Sequence, residues 1–100
     1  AGYLIFLNPS DTRYFQLVGI CMHRMKIYDA AEHFYKLAVA IEPNDPPSWV
    51  FRGEAQIMAG ETDKGLSYIK KGLEQTESKP EHRETADRAK VLLRQFGGAA

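Results

Sequence analysis

The chain has 100 residues and a mass of 11.3 kDa, enough for one modest hydrophobic core and too little for two. Hydrophobic residues make up 44% and charged residues 26%, which excludes an intrinsically disordered chain. Thirteen Lys and Arg balance thirteen Asp and Glu, leaving no net positive field for a nucleic-acid backbone or an anionic membrane surface. Cys21 is the single cysteine, so no internal disulfide can form and a reducing, cytoplasmic setting is expected. The apolar runs, such as residues 3–7 and 37–41, fall far short of the ~20 residues a bilayer demands, and no membrane insertion is expected. The N-terminus lacks the basic region and long apolar stretch of a secretory signal, and no targeting is read from it.

In chain order, residues 3–7 form a short apolar run that ends at Asn8-Pro9. Asp11 stands where an N-cap acceptor belongs, and residues 12–24 place Phe15, Val18, Met22 and Met25 on one helical face. The spacing predicts a second helix over residues 29–41, with Ala31, Phe34, Tyr35, Ala38 and Ile41 inward and Glu32, His33 and Lys36 mostly outward. Pro43 follows its end, where a helix cannot continue. A third helix begins at Pro46-Pro47 behind the cap Asp45 and stops at Gly60. The fourth, residues 62–76, carries Leu66, Ile69 and Leu73 on one side, while Gly65 and Gly72 let a neighbouring backbone approach at ~1 kcal/mol each in helix propensity. The fifth, residues 80–96, is highly charged, with Glu84 and Arg88 at i,i+4, and ends at Gly97-Gly98.

These elements repeat. A shift of thirty-four residues sets Pro9 on Pro43, Asp11 on Asp45, Phe15 on Trp49, Gly19 on Gly53, Ala31 on Gly65, Tyr35 on Ile69 and Ala38 on Gly72. In the same register residues 3–7 read as the tail of an earlier helix. A thirty-four-residue helix-turn-helix unit with Phe15, Val18-Gly19, Tyr28, Ala31, Tyr35, Ala38 and Pro43-Asn44 at these spacings resembles the tetratricopeptide repeat. The second unit keeps Trp49, Gly53, Gly60 and Leu73 but has Arg52 for the usual aliphatic, Gln56 for an aromatic, and Gly65 and Gly72 for two alanines. The resulting expectation is an all-α, tetratricopeptide-like solenoid of antiparallel helix pairs, about five helices in one domain over residues 1–100. Residues 1–9 end a partial first repeat, 11–44 and 45–78 are repeats, and 79–97 are a C-terminal capping helix with a solvated charged face. Small residues at the crossings let paired helices approach while aromatics fill holes against the next repeat, so Gly19→Leu is expected to be costly.

A closer resemblance covers nearly all of the chain. Residues 4–11 (Leu-Ile-Phe-Leu-Asn-Pro-Ser-Asp), then Arg13-Tyr14-Phe15 leading to Gly19, then Tyr28-Asp29-Ala30-Ala31 with Tyr35, are similar to the class II chaperones of bacterial type III secretion, the SycD-like translocator chaperones. The spacing onward to Gly60-Glu61 and Lys79-Pro80-Glu81 matches as well. The resemblance implies about three tetratricopeptide-like repeats and a task in the bacterial cytoplasm: holding a hydrophobic translocator subunit before export. That family has a further N-terminal helical segment used in homodimer contacts, and the first helix of its first repeat, ahead of the point where this sequence starts. The oligomeric state is therefore open between a monomer and a homodimer, including pairing through Tyr3, Leu4 and Phe6.

In such a stack the first helix of each pair lines the concave face. By helical phase the peptide-binding candidates are Arg13, Gln16, Ile20, His23 and Arg24, and thirty-four residues on, Pro47, Val50, Glu54, Ile57 and Met58. The expected partner is an extended or kinked apolar segment of a translocator protein whose leucine or proline anchors enter shallow pockets. Ile20, Pro47 and Glu54 argue against the carboxylate-clamp use of such repeats, and a general scaffold docking another protein is the alternative. The other readings are structural. Cys21 is expected as a small buried hydrophobe, and Met22 as core, while Met58 is balanced between core and cargo surface. His23, His33 and His82 show no metal-ligand spacing, so no metal is expected. Ser67 and Lys70 match an acyl-enzyme spacing without its companion motifs. Glu54 beside Arg24 or His23 reads as a surface ion pair ahead of a backbone-orienting role. No acid, base and nucleophile come together in the sequence, so neither an enzyme nor a cofactor is expected.

Overall fold

The computed structural model of the protein describes residues 11–97. Five helices follow one another: α1 (Thr12–Arg24), α2 (Tyr28–Ile41), α3 (Pro46–Met58), α4 (Thr62–Glu74) and α5 (Arg83–Phe96), the last preceded by a 3-10 turn over Pro80–His82. Asp11 caps α1 by accepting from the Arg13 amide, and Asp45 caps α3 by accepting from the Ser48 amide. The Arg13 amide, together with the Arg13 guanidinium, holds the Asp11 carboxyl below its usual range. The expected spans hold to within three residues; α4 stops two residues early, and Pro80 opens a 3-10 turn before α5 proper. The apolar run at residues 3–7, with Tyr3, Leu4 and Phe6, lies outside the described residues.

The thirty-four-residue period reappears in individual hydrogen bonds. After α1, the Lys26 amide donates to the His23 carbonyl and the Ile27 amide to that of Met22, both at 2.9 Å. After α3, Gly60 donates to Ile57 and Glu61 to Gln56 at 3.0 and 2.8 Å. Both are Schellman turns with a left-handed residue just past the helix end. Gly60 has φ 96°, and Lys26 adopts φ 62° in the equivalent place.

The glycines at the helix crossings have matching partners. A Cβ on Gly19 would land on the buried ring of Tyr35, and one on Gly53 would land on Ile69 and on the Gly65 carbonyl oxygen. Tyr35 and Ile69 are themselves thirty-four apart. Two apolar clusters result. Ala31, Tyr35 and Ala55, with Ile20, Met22 and Phe51 against them, join α1, α2 and α3. Val50, Ile57, Ile69, Ala89 and Leu92, with Leu66, Leu73, Leu93 and Phe96 against them, join α3, α4 and α5. The fifth helix thus closes the second hairpin.

Several expectations are corrected. Ile41, the last residue of α2, is exposed, and Val39 is buried in its place. Because α2 packs against both α1 and α3, its buried arc is wider than one stripe. Met25, just past α1, is also exposed. Cys21 is exposed, whereas Ala55, its counterpart thirty-four residues on, is fully buried beneath α2; among the described residues no helix precedes α1 to cover it. Glu32 turns inward to Arg52, whose guanidinium Nε lies 2.9 Å from its carboxylate. Arg52 also stacks over the Tyr68 ring at 4.0 Å and donates to the Tyr68 hydroxyl at 3.1 Å. Its aliphatic stem and delocalised charge occupy the place of the repeat's usual aliphatic residue.

Candidate functional site: a groove between the first helices

Helices α1, α3 and α5 share one face of the stack, and a depression of about 250 Å³ opens between them. Ile20, His23 and Arg24 line it from α1, Phe51 and Glu54 from α3, Arg88 from α5, and Tyr35 reaches it from α2. The floor is apolar because the packing that builds it is apolar: the Tyr35 and Phe51 rings lie 5.6 Å apart, and Ile20 packs against the same cluster. A cavity of ~150 Å³ accepts a benzene-sized group, so the space admits one or two branched aliphatic side chains. A second depression of about 190 Å³, lined by Pro47, Val50, Phe51, Glu84, Thr85 and Arg88, adjoins it. Phe51 and Arg88 belong to both, so the two form one continuous groove.

The polar groups form a crossing clasp. Arg88 donates to Glu54 from Nε at 3.3 Å and from Nη2 at 2.9 and 2.8 Å, binding both carboxylate oxygens. His23 Nε2 lies 3.8 Å from the same carboxylate and packs edge-on against Tyr28. Burial beside the Glu54 charge, with a smaller effect of Cys21, pushes the Tyr35 phenol well above its ordinary range, so it stays neutral.

Of the ten residues picked out by helical phase, Ile20, His23, Arg24 and Glu54 meet in the first depression. Pro47 lies in the second. Gln16 faces α3 instead, its amide donating to Asp45 Oδ2 at 2.5 Å and to Ser48 Oγ at 2.7 Å, so it ties the two hairpins together. Arg13 is exposed and paired with Asp11 at 3.2 Å. Met58 is exposed outside both depressions. Val50 and Ile57 are corrected: at 1% and 7% exposure they belong to the core against α4 and α5, and Val50 reaches only the base of the second depression. Val50 Cγ2 and Ile57 Cγ1 fill the space that Gly72 and Gly65 of α4 leave open, and Ala89 and Leu92 of α5 complete the same cluster, so these two positions of α3 are sealed. Phe51, Tyr35 and Arg88 are groove residues that phase reasoning missed. Phe51 is aromatic at the position of Leu17, and Arg88 is thirty-four residues beyond Glu54, which is the signal that the charged fifth helix continues the first-helix series.

Other depressions lie elsewhere, including one of about 560 Å³ between α4 and α5 around Lys70, Leu73 and Lys90; it carries mixed charges at its rim and no aromatic floor. Among the described residues no three His, Cys, Asp or Glu side chains converge to hold a metal ion, and no helix is long and apolar enough to cross a membrane.

Neither a protein-family model nor a curated protein sequence matches this chain. Solved structures do match. The type III secretion translocator chaperone SycD of Yersinia enterocolitica superposes with a TM-score of 0.83 at 27% identity, over 89% of this chain and 66% of SycD. SycD in complex with a peptide of the translocator YopD gives 0.83 at 26%, over 91% of this chain and 70% of that one. PcrH in complex with the chaperone binding region of PopB gives 0.80 at 25%, over 88% and 71%. The chain thus spans slightly under two thirds of the length of SycD. Its structural neighbours are class II type III secretion translocator chaperones, and its fold is theirs.

Proposed function

We propose that this protein is a cytoplasmic chaperone of type III secretion, which holds a hydrophobic translocator subunit by seating an extended apolar segment of it in the groove between α1, α3 and α5. The observation that carries this reading is the apolar floor of Ile20, Tyr35 and Phe51 on a fold shared with SycD and PcrH, both solved with translocator segments. Each leucine-sized anchor that leaves water contributes about 1.5–3 kcal/mol before ordering costs. Two shallow depressions therefore support moderate affinity, as cargo that must be released requires. The two repeats over residues 11–44 and 45–78, with the closing helix α5, act together as the binding unit, and the action is binding rather than catalysis.

Coexpression with a candidate translocator subunit tests the reading. The subunit is expected to become soluble and to copurify, and Ile20→Asp is expected to abolish copurification while far-UV circular dichroism stays unchanged. A subunit that stays insoluble in the presence of the chain, or copurification indifferent to Ile20→Asp, contradicts it.

A further inference from the structure

We infer that the segment received by this groove carries an acidic side chain next to its apolar anchor, paired with Arg24. The inference rests on the groove reading above and adds the chemistry of its partner.

Three charged side chains line the first depression: Arg24 from α1, Glu54 from α3 and Arg88 from α5. Arg88 and Glu54 neutralise each other, both oxygens of the carboxylate being taken by one guanidinium, and His23 stands on the remaining side of Glu54. A basic residue on the incoming segment therefore meets no vacant anion there. Arg24 is exposed and, among the described residues, has no ion-pair partner: Asp11 holds Arg13, Glu32 holds Arg52 and Glu54 holds Arg88. Residues 1–10 contain no acidic side chain. One uncompensated guanidinium thus stands at the rim of an apolar pocket, where low-dielectric walls concentrate its field. Its planar donors suit a carboxylate in two-point contact better than a point charge would.

Glu84 and Arg88 both line the second depression, and because Arg88 is taken by Glu54, the Glu84 carboxylate is the charge left over at that far end. The groove therefore runs from positive at the end of α1 to negative beside α5, and this gradient gives a bound segment a preferred direction. Because Arg24 is solvated when empty, an exposed pair of this kind discriminates modestly, about two- to fivefold in affinity, and chiefly through the association rate.

The test uses the full chain and fluorescent synthetic peptides with a leucine anchor, identical except for one residue beside the anchor: aspartate, asparagine or lysine. Two series place that residue before or after the anchor. In at least one series, at low salt, the aspartate peptide is expected to bind about two- to fivefold more tightly than the asparagine peptide, and the lysine peptide more weakly. Arg24→Gln is expected to remove the difference and Arg24→Glu to reverse the order, while Lys36→Gln, on the outer side of α2, leaves the order intact. Equal affinities in both series, or an order indifferent to Arg24, overturn this inference and leave the groove standing. Failure of every peptide to bind overturns the groove reading and this inference with it.

Discussion

Replacing Gly53 by alanine probes the backbone-to-backbone contact between α3 and α4. An added Cβ would sit 2.5 Å from the Gly65 carbonyl oxygen, 2.5 Å from Ile69 Cγ1 and 3.1 Å from the Ile69 amide nitrogen. Two of these three atoms are backbone, so no side-chain rotation relieves the clash, and α4 must shift away from α3. Overpacking of this kind costs ~1–3 kcal/mol, with rigid backbone at the upper end. Alanine returns ~1 kcal/mol in helix propensity, so the net loss is about 2 kcal/mol. For a domain of this size that lowers Tm by roughly 8–16 °C, measured by circular dichroism at 222 nm with urea titration alongside. Gly65→Ala is expected to behave alike, because its Cβ meets the Gly53 carbonyl oxygen at 2.5 Å. The double variant should lose less than the sum, since one displacement of α4 relieves both clashes. A Gly53→Ala protein as stable as the parent, or more so, would mean that α3 and α4 do not meet backbone to backbone.

Other consequences follow from single side chains. Lys26 holds φ 62° where the next repeat has glycine, so Lys26→Gly is expected to stabilise by about 0.5–1 kcal/mol in urea unfolding, and unchanged or lower stability contradicts the turn assignment. Arg52→Met strands the Glu32 carboxylate, whose side chain is 18% exposed. It should cost about 2–3 kcal/mol, most of it recovered when Glu32→Leu is added, and a double-mutant cycle showing no coupling would refute this. The buried Tyr35 phenol keeps its proton to higher pH than in the unfolded chain. Its contribution is therefore complete below about pH 10 and is lost as pH rises above that, when the unfolded chain ionises first. The alkaline decline in Tm should be smaller in Tyr35→Phe, and an identical decline contradicts the burial argument.

Much of this architecture is legible before any coordinates. Asp11, Asp45, Pro43 and Gly60 are punctuation with local causes, so helix limits follow from them. Small residues recur with the repeat, Gly19 with Gly53, Ala31 with Gly65 and Ala38 with Gly72, and announce where helices cross. The groove was less legible, because helical phase gives a direction for each side chain and not what stands opposite. Gln16 points toward the next repeat, but only the fold shows that Asp45 and Ser48 wait there. Val50 and Ile57 share the phase of Gln16 and His23 in α1, yet they pack on Gly72 and Gly65 of α4, so aspartate at either site would test the core and not the groove. In the sequence Arg88 is one more charge on a solvated helix, and only the fold sets Glu54 across from it. The errors thus concentrate where a side chain's role depends on a partner distant in sequence.

On the proposed function, partners enter between α1, α3 and α5. Amide chemical-shift mapping with a leucine-anchored translocator peptide addresses it directly. The largest perturbations are expected at Ile20, Phe51 and Arg88, with Lys70 and Lys90 on the outer depression unmoved. Perturbations centred on the α4–α5 depression, with Ile20 and Phe51 silent, would contradict it.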